Sequence, residues 1–300
     1  MKRIFIFFIL LLAPIFSYAM EDSRPLLGGS DFFSIKINTV ADVKPQDLEI
    51  KEPKILPNSN FYWMKELFRS IELSMTADES KKTQKLIRIS NERLYELKKL
   101  TGVKKIDKKT LEKYLEKYLS DSSDLYGKLL KIQDEKKAKE ILDSIVKQEF
   151  IRQRVFEGIQ NKTKEDIVEA YKQKSLEKFG KLLSDARKLE PEKRIKEYAD
   201  KNIKFDAKSI QDTKFLEKLK NYINNKETQK TINDAADYAV KKIIKSLEDL
   251  NEEDKQKKIR EFLGDTSTTT QDVNVGNLLE RIKEEKDRIE KDLQKNKIKN

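Results

Sequence analysis

Residues 232–247 read INDAADYAVKKIIKSL, and this stretch decides the fold class. Its apolar residues recur three and four positions apart, which is the spacing of one face of an α-helix. They are Ile232, Ala235, Ala236, Ala239, Val240, Ile243, Ile244 and Leu247. Because alanine side chains let a neighbouring helix approach closely, we expect this helix to be central to its bundle.

The same helical period recurs through most of the remaining chain. It is found in residues 61–75, 86–100, 111–119, 141–159, 167–183 and 215–223. Residues typical of helix ends lie between these stretches. They are Thr76 with Glu79 as a capping box, Gly102 as a stop, Asp107 and Asp134 as N-caps, and Pro191 in a first turn. We therefore predict an all-α fold, either an elongated antiparallel helical bundle or a string of α-hairpins.

The pattern changes at both ends of the helical region. Residues 20–56 contain glycines and prolines without a sustained helical period, so we predict a flexible arm, although docking on the helical body stays open. Two helical bundles are expected at 57–160 and 161–264, followed by a polar linker at 265–276. For residues 277–300 we predict a C-terminal helix, for which fraying and coiled-coil dimerisation both stay open.

The N-terminus has the layout of a secretory signal peptide over residues 1–19. Lys2 and Arg3 precede an apolar stretch at 4–16, and the small residues that a signal peptidase requires place the cleavage between Ala19 and Met20. The apolar stretch is shorter than the roughly 20 residues that span a bilayer. We predict an exported protein of the periplasm, cell surface or secreted space, and not a transmembrane protein. An uncleaved N-terminal anchor is the alternative.

Composition excludes most catalytic and metal chemistry. The chain has no histidine and no cysteine, which removes the commonest general base, the usual zinc and copper ligands, disulfides and a lipobox. The eight glycines form no phosphate-binding loop. We therefore expect no catalytic, cofactor or metal site and no enzymatic activity. A Ser-Lys dyad is conceivable, but no serine and lysine pair is distinguished from the others.

Charge and aromatic residues suggest where a partner could bind. Charged residues make up 39% of the chain with a net charge of +11, so weak contact with polyanions or anionic lipid is expected. Trp63 is the only tryptophan, and Phe68 follows it on the same predicted helix. We expect a buried anchor there, and an exposed binding hot spot is the alternative. Tyr114 and Tyr118 are expected to pack in the core.

A segment in the first half of the chain carries a family resemblance. Leu56-Pro57-Asn58-Ser59 leads into Phe61 and Tyr62, Thr76 and Asp78 frame a turn, and Glu92-Arg93-Leu94 is followed by Glu96 and Leu97. Over roughly residues 55–160 this order resembles the DUF5667 family, although Asn60 stands where proline is common and Ser90 where alanine is common. The resemblance implies an extracytoplasmic helical domain of unknown function and supplies no catalytic residues.

These observations favour a non-catalytic structural or protein-interaction component of the bacterial cell envelope or secreted space, with an unknown protein partner and no small-molecule cofactor. Two other functions stay open. One is a periplasmic chaperone-like protein that holds unfolded clients, which long amphipathic helices would allow. The other is binding to polyanions or anionic membranes through lysine-rich faces.

Overall fold

The computed structural model describes residues 42–103, 106–204, 206–251, 253–254 and 257. Within these residues the protein has eight α-helices and no β-strand, which confirms the all-α prediction. The helices are α1 (Tyr62–Ser74), α2 (Glu79–Val103), α3 (Lys108–Leu129), α4 (Glu135–Thr163), α5 (Asp166–Asp185), α6 (Pro191–Asn202), α7 (Ala207–Leu219) and α8 (Lys226–Glu248). Short 3-10 helices lie at Pro45–Leu48, Arg187–Leu189 and Lys220–Tyr222.

Local capping explains where several helices begin. The carboxylate of Asp107 accepts a hydrogen bond from the backbone N–H of Thr110, and Asp134 caps α4 in the same way. Pro191 occupies the first turn of α6, where a missing N–H costs nothing. All three predictions are confirmed.

The predicted capping box at Thr76 is wrong. The carboxylate of Asp78 accepts a hydrogen bond from the backbone N–H of Lys81, so Asp78 occupies the N-cap position and α2 begins one residue later. The Thr76 hydroxyl instead donates to the carbonyl of Glu72 in the preceding helix. An aspartate next to the first turn also interacts favourably with the helix dipole, which favours it as the cap.

The helices pack in two overlapping groups. α2 lies along both α3 and α4, and α5 packs on α3 and α4. α8 lies against α6 and α7, and both of these also contact α4. The predicted apolar face of α8 is buried at Ile232, Ala235, Ala236, Ala239, Val240 and Ile243. α4 spans the boundary predicted at residue 160, and the division into two bundles stays a prediction.

Part of the predicted arm docks on the helices. In residues 42–56, Val43, Leu48 and Ile50 are buried in the same core as α2, α3 and α4. The side chain of Lys98 donates to the carbonyl of Val43 at 2.5 Å, and Asn91 donates to the carbonyl of Leu48 at 2.9 Å. These contacts explain why a segment without a helical period is held in place. For residues 42–56 the alternative to a flexible arm, docking on the helical body, is therefore correct.

Several predictions lie outside the described residues. They concern the signal peptide with its cleavage between Ala19 and Met20, the linker at 265–276 and the C-terminal helix at 277–300. In the part of the chain that the structure describes, no helix combines the length and the apolar character needed to cross a membrane.

Candidate protein-interaction surface

Helix α1 is amphipathic in the reverse sense of an ordinary surface helix. Tyr62, Lys65, Glu66 and Arg69 recur three and four residues apart, so they share one side of α1. This side faces α2, and Tyr62 and Arg69 are buried there. A surface helix normally turns its apolar side to the core, whereas α1 turns its charged side inward.

The inward side of α1 is satisfied by a cluster of ion pairs, which we call the ion cluster: Tyr62, Lys65, Glu66, Arg69, Glu92, Arg93, Glu96 and Asp121. Its centre is the carboxylate of Glu96, which is fully buried. One oxygen accepts from the Tyr62 hydroxyl at 2.7 Å, and the other lies 2.6 Å from Arg69 Nη2 and 2.5 Å from Lys65 Nζ. Glu92 adds a second carboxylate 2.8 Å from Arg69.

Glu66 connects this centre to α3. Its two oxygens lie 2.7 Å from Arg69 and 2.8 Å from Arg93, and Arg93 also pairs with Asp121 at 2.7 Å. Burial by itself raises the pKa of Glu66, but the nearby positive charges of Arg93 and Arg69 outweigh it and lower the pKa to about 2. For Asp121 burial dominates, and the pKa of its carboxyl is raised.

The family-motif residues have structural roles around α1 and α2. Tyr62, Glu92, Arg93 and Glu96 belong to the ion cluster, and Leu94 and Leu97 are buried in the core beneath it.

The opening Leu56-Pro57-Asn58-Ser59 positions the start of α1. Pro57 is buried and its carbonyl accepts from the Tyr114 hydroxyl at 2.9 Å, while the Ser59 hydroxyl accepts from the backbone N–H of Phe61. Leu56 is half-buried and Asn58 is exposed, so α1 begins at Tyr62 without a side-chain cap from Asn58.

The opposite side of α1 presents large apolar side chains to solvent. We call this set the apolar face: Phe61, Trp63, Leu67, Phe68, Ile71 and Met75, all of which are exposed. Trp63 is 63% exposed and Phe68 is 65% exposed. The prediction that Trp63 and Phe68 are a buried anchor is therefore wrong, because only one side of α1 contacts the body and the ion cluster occupies that side.

A second polar group is buried deep between the helices, and no sequence pattern predicted it. Arg152 and Glu149 are both fully buried and pair at 3.4 Å. Arg152 Nε donates to Asn91 at 2.7 Å, and Glu149 accepts from Gln153 and from the Ser175 hydroxyl. These bonds join α2, α4 and α5, so the group fixes how the helices align.

Other candidate sites prove to be structural. Tyr114 and Tyr118 are buried as predicted, and Tyr118 packs edge-to-face on Phe156. Among the described residues there is no group of three or more Asp, Glu, His or Cys side chains that could hold a metal ion.

Comparison with known proteins finds one family. The model of a family described as "Domain of unknown function (DUF5667)" matches residues 54–213, which reach from the segment before α1 into α7. The match extends well beyond residues 55–160, where the motif resemblance was seen. No curated protein and no solved structure matches the chain.

Proposed function

The chain belongs to the DUF5667 family, and from this membership and the geometry of α1 we propose that it is an exported, non-catalytic protein that binds a protein partner through the apolar face. The family match covers α1 and every residue of the ion cluster. The partner is a protein with an apolar, uncharged contact surface.

The exposed apolar face is the observation that carries this proposal. Contiguous exposed apolar patches on a soluble protein usually mark a contact site. Aromatic residues and methionine are enriched at the centres of protein interfaces, and Trp63, Phe61, Phe68 and Met75 supply both types here. The ion cluster keeps α1 from turning this side inward, because that rotation would take Lys65, Arg69 and Tyr62 away from Glu96 and leave its buried carboxylate without partners.

Charge favours a protein over a lipid surface as the partner. A helix that lies on an anionic membrane uses lysines and arginines on its polar side to contact the headgroups. The polar side of α1 faces the body, and Lys65 and Arg69 are already paired with Glu96. At the edge of the apolar face, Glu72 is paired with Arg88 at 2.5 Å. The apolar face therefore has little free positive charge to attract lipid.

Export is the second part of the proposal, and the first 19 residues support it. Lys2 and Arg3, the apolar stretch at 4–16 and the sequence Ser17-Tyr18-Ala19 fit a cleaved secretory signal. N-terminal sequencing of protein recovered from cell fractions checks this part. We expect Met20 as the first residue in an extracytoplasmic fraction, whereas Met1 retained in the cytosol contradicts export.

The absence of catalytic activity is proposed from composition. With no histidine or cysteine in the sequence, the common nucleophile and base pairs cannot form. The buried carboxylate of Glu96 and the buried Arg152 both have their hydrogen-bonding capacity used by neighbouring side chains. These groups support a structural role.

The binding proposal is tested by photo-crosslinking in the producing cells. A photoreactive phenylalanine analogue replaces Phe68 in one variant and the exposed Lys113 on α3 in a matched control. We expect one defined protein to crosslink at position 68 and not at position 113. The purified partner then binds the wild-type protein at least about tenfold more tightly than the Leu67→Ser/Phe68→Ser variant, since hot-spot truncations cost about 2 kcal/mol.

Three outcomes overturn the proposal. Equal affinity of the partner for the wild type and for the double variant removes the apolar face as the contact. Crosslinks to a second copy of the chain indicate self-association instead. Binding to vesicles of phosphatidylethanolamine and phosphatidylglycerol that is lost in the Leu67→Ser/Phe68→Ser variant identifies a membrane surface as the partner.

A further inference from the structure

A cleft of about 530 Å³ lies where α4, α6 and the start of α7 meet the segment around Asp47. It shares no residue with the apolar face or the ion cluster. Five cationic side chains line it, and we call it the basic cleft for them: Lys147, Arg154, Lys201, Lys204 and Lys208. Its volume falls within the roughly 300–1,000 Å³ of small-molecule sites.

The three carboxyl groups in the lining are already used by the protein. Asp47 accepts a hydrogen bond from the backbone N–H of Lys44 at 2.8 Å. Asp206 accepts from the backbone N–H of Ser209 at 2.7 Å and thereby caps α7. Asp212 accepts from the Tyr198 hydroxyl at 3.0 Å. These bonds hold the three carboxyl groups in place, and the five cationic side chains of the lining still exceed them by two.

Most of the lysines have weak or no ionic partners. Lys204 lies 3.9 Å from Asp206, and Lys147 pairs with the exposed Glu49 outside the lining. Lys201 and Lys208 form no ion pair with any residue in the described ranges. Like charges gathered around one concave space repel one another, and a bound anion relieves this repulsion.

Arg154 is the built part of this site. Its side chain is more than nine-tenths buried, and Nε has no hydrogen-bond partner among the described residues. Its Nη1 lies 3.5 Å from Asp212 Oδ1, which also lacks a hydrogen-bond partner there. A largely buried arginine at the wall of a lysine-lined cleft is suited to phosphate or sulfate, because its planar donors match the oxygens of these groups.

We propose that the basic cleft binds a small ligand with two or more phosphate or sulfate groups. Arg154 orients one group through directed hydrogen bonds, while the flexible lysines act as point charges for the others. Cationic side chains outnumber carboxyl groups in the lining by five to three, which favours a multiply charged anion over a single carboxylate. The ligand is either a polyphosphate compound or a sulfated sugar, and both present the same oxyanion chemistry.

Calorimetric titration tests the site with two probes, tripolyphosphate and sucrose octasulfate, in low salt. We expect one equivalent of at least one probe to bind the purified protein. The Lys201→Ser/Lys208→Ser variant changes two exposed lysines of the lining and should bind at least about tenfold more weakly. Lys113→Ser/Lys181→Ser removes the same charge from exposed positions outside the cleft and serves as the matched control.

The two probes also distinguish the source of the ligand. Tighter binding of tripolyphosphate indicates a phosphate compound, and tighter binding of sucrose octasulfate indicates a sulfated sugar. The proposal is overturned when neither probe binds at millimolar concentration. It is also overturned when the control variant weakens binding as much as the cleft variant, because the interaction is then with the net charge of the protein. Circular dichroism of both variants checks that they are folded.

Discussion

Glu96 is the residue on which the orientation of α1 depends. A fully buried carboxylate is costly unless charges and hydrogen bonds surround it, and Tyr62, Lys65 and Arg69 supply these from one side of α1. The same contacts raise the pKa of Tyr62, because burial and the negative charge of Glu96 both disfavour the phenolate. The residues that meet Glu96 therefore determine which side of α1 faces solvent.

Glu66 makes the stability of this region sensitive to acid. Its pKa is lowered to about 2 from an ordinary value of 4.5, so its ionised form stabilises the fold above pH 4.5 and this contribution is lost as pH falls through about 2. We predict that the unfolding free energy of Glu66→Gln falls less between pH 4.5 and pH 2 than that of the wild-type protein. Urea unfolding at both pH values measures it, with exposed Glu140→Gln as the control. An identical pH dependence in wild type and Glu66→Gln contradicts the prediction.

Gly180 is required by a close approach between two elements. A Cβ atom at this position would lie 2.6 Å from the carbonyl oxygen of Tyr222, which real Cβ atoms do not tolerate. We predict that Gly180→Ala lowers the unfolding free energy by about 1–3 kcal/mol, because the backbone at Tyr222 must move.

Gly127 provides the matched comparison for Gly180. It also lies within a helix, but a Cβ atom there would meet nothing within 4 Å. Gly127→Ala should therefore raise the unfolding free energy by about 0.5–1 kcal/mol, since alanine favours helix over glycine. Chemical denaturation of both variants measures the difference, and a stabilising effect at Gly180 would show that Tyr222 does not pack there.

For single helices, the periodicity of apolar residues predicts that a helix is present better than it predicts which side of the helix faces the core. The three- and four-residue spacing correctly predicts α1 and α8, and in α8 the apolar side is buried as expected. In α1 the usual rule fails, because it assumes that the apolar side faces the core. The signal that could have revealed the reversal is the pairing of Lys65, Glu66 and Arg69 on α1 with the charged motif residues Glu92, Arg93 and Glu96 on α2.

The ion cluster should hold α1 on α2 independently of the rest of the core. We predict that Glu96→Gln increases amide hydrogen exchange in α1 and leaves exchange in α8 unchanged, because Arg69 and Lys65 lose their buried counter-charge. Breaking a buried ion pair from one side costs about 3–5 kcal/mol. Hydrogen-exchange mass spectrometry measures both helices, with Glu140→Gln as the control. Equal exchange in α1 of Glu96→Gln and wild type refutes this role for the cluster.

Across the whole molecule, most charged side chains lie at the surface, and a few are buried in the core. The buried pair of Arg152 and Glu149 cannot be predicted from the sequence, because nothing in the spacing of arginine and glutamate separates a buried pair from a surface pair. The basic cleft was missed for a related reason. Arg154 is far from Tyr198 and Lys208 in the chain, and the three meet only when α4, α6 and α7 pack together.

The apolar face should be dispensable for folding. We predict that Phe68→Ser changes the unfolding free energy by no more than about 0.5 kcal/mol, because exposed positions contribute little to stability. A buried phenylalanine replaced by a small residue typically costs about 3–5 kcal/mol. Phe156→Ala, at a fully buried position in the core, is the comparison that should show this larger loss. A large loss in Phe68→Ser would mean that Phe68 packs inside the molecule.

Trp63 reports directly on whether α1 presents its apolar side to solvent, because it is the only tryptophan in the chain. Its fluorescence and acrylamide quenching can be measured in the dilute, purified protein. We expect an emission maximum close to that of free tryptophan and nearly unrestricted quenching, because Trp63 is exposed. A blue-shifted emission maximum, together with a Trp63 side chain that acrylamide does not quench at any protein concentration, would show that this side of α1 is buried.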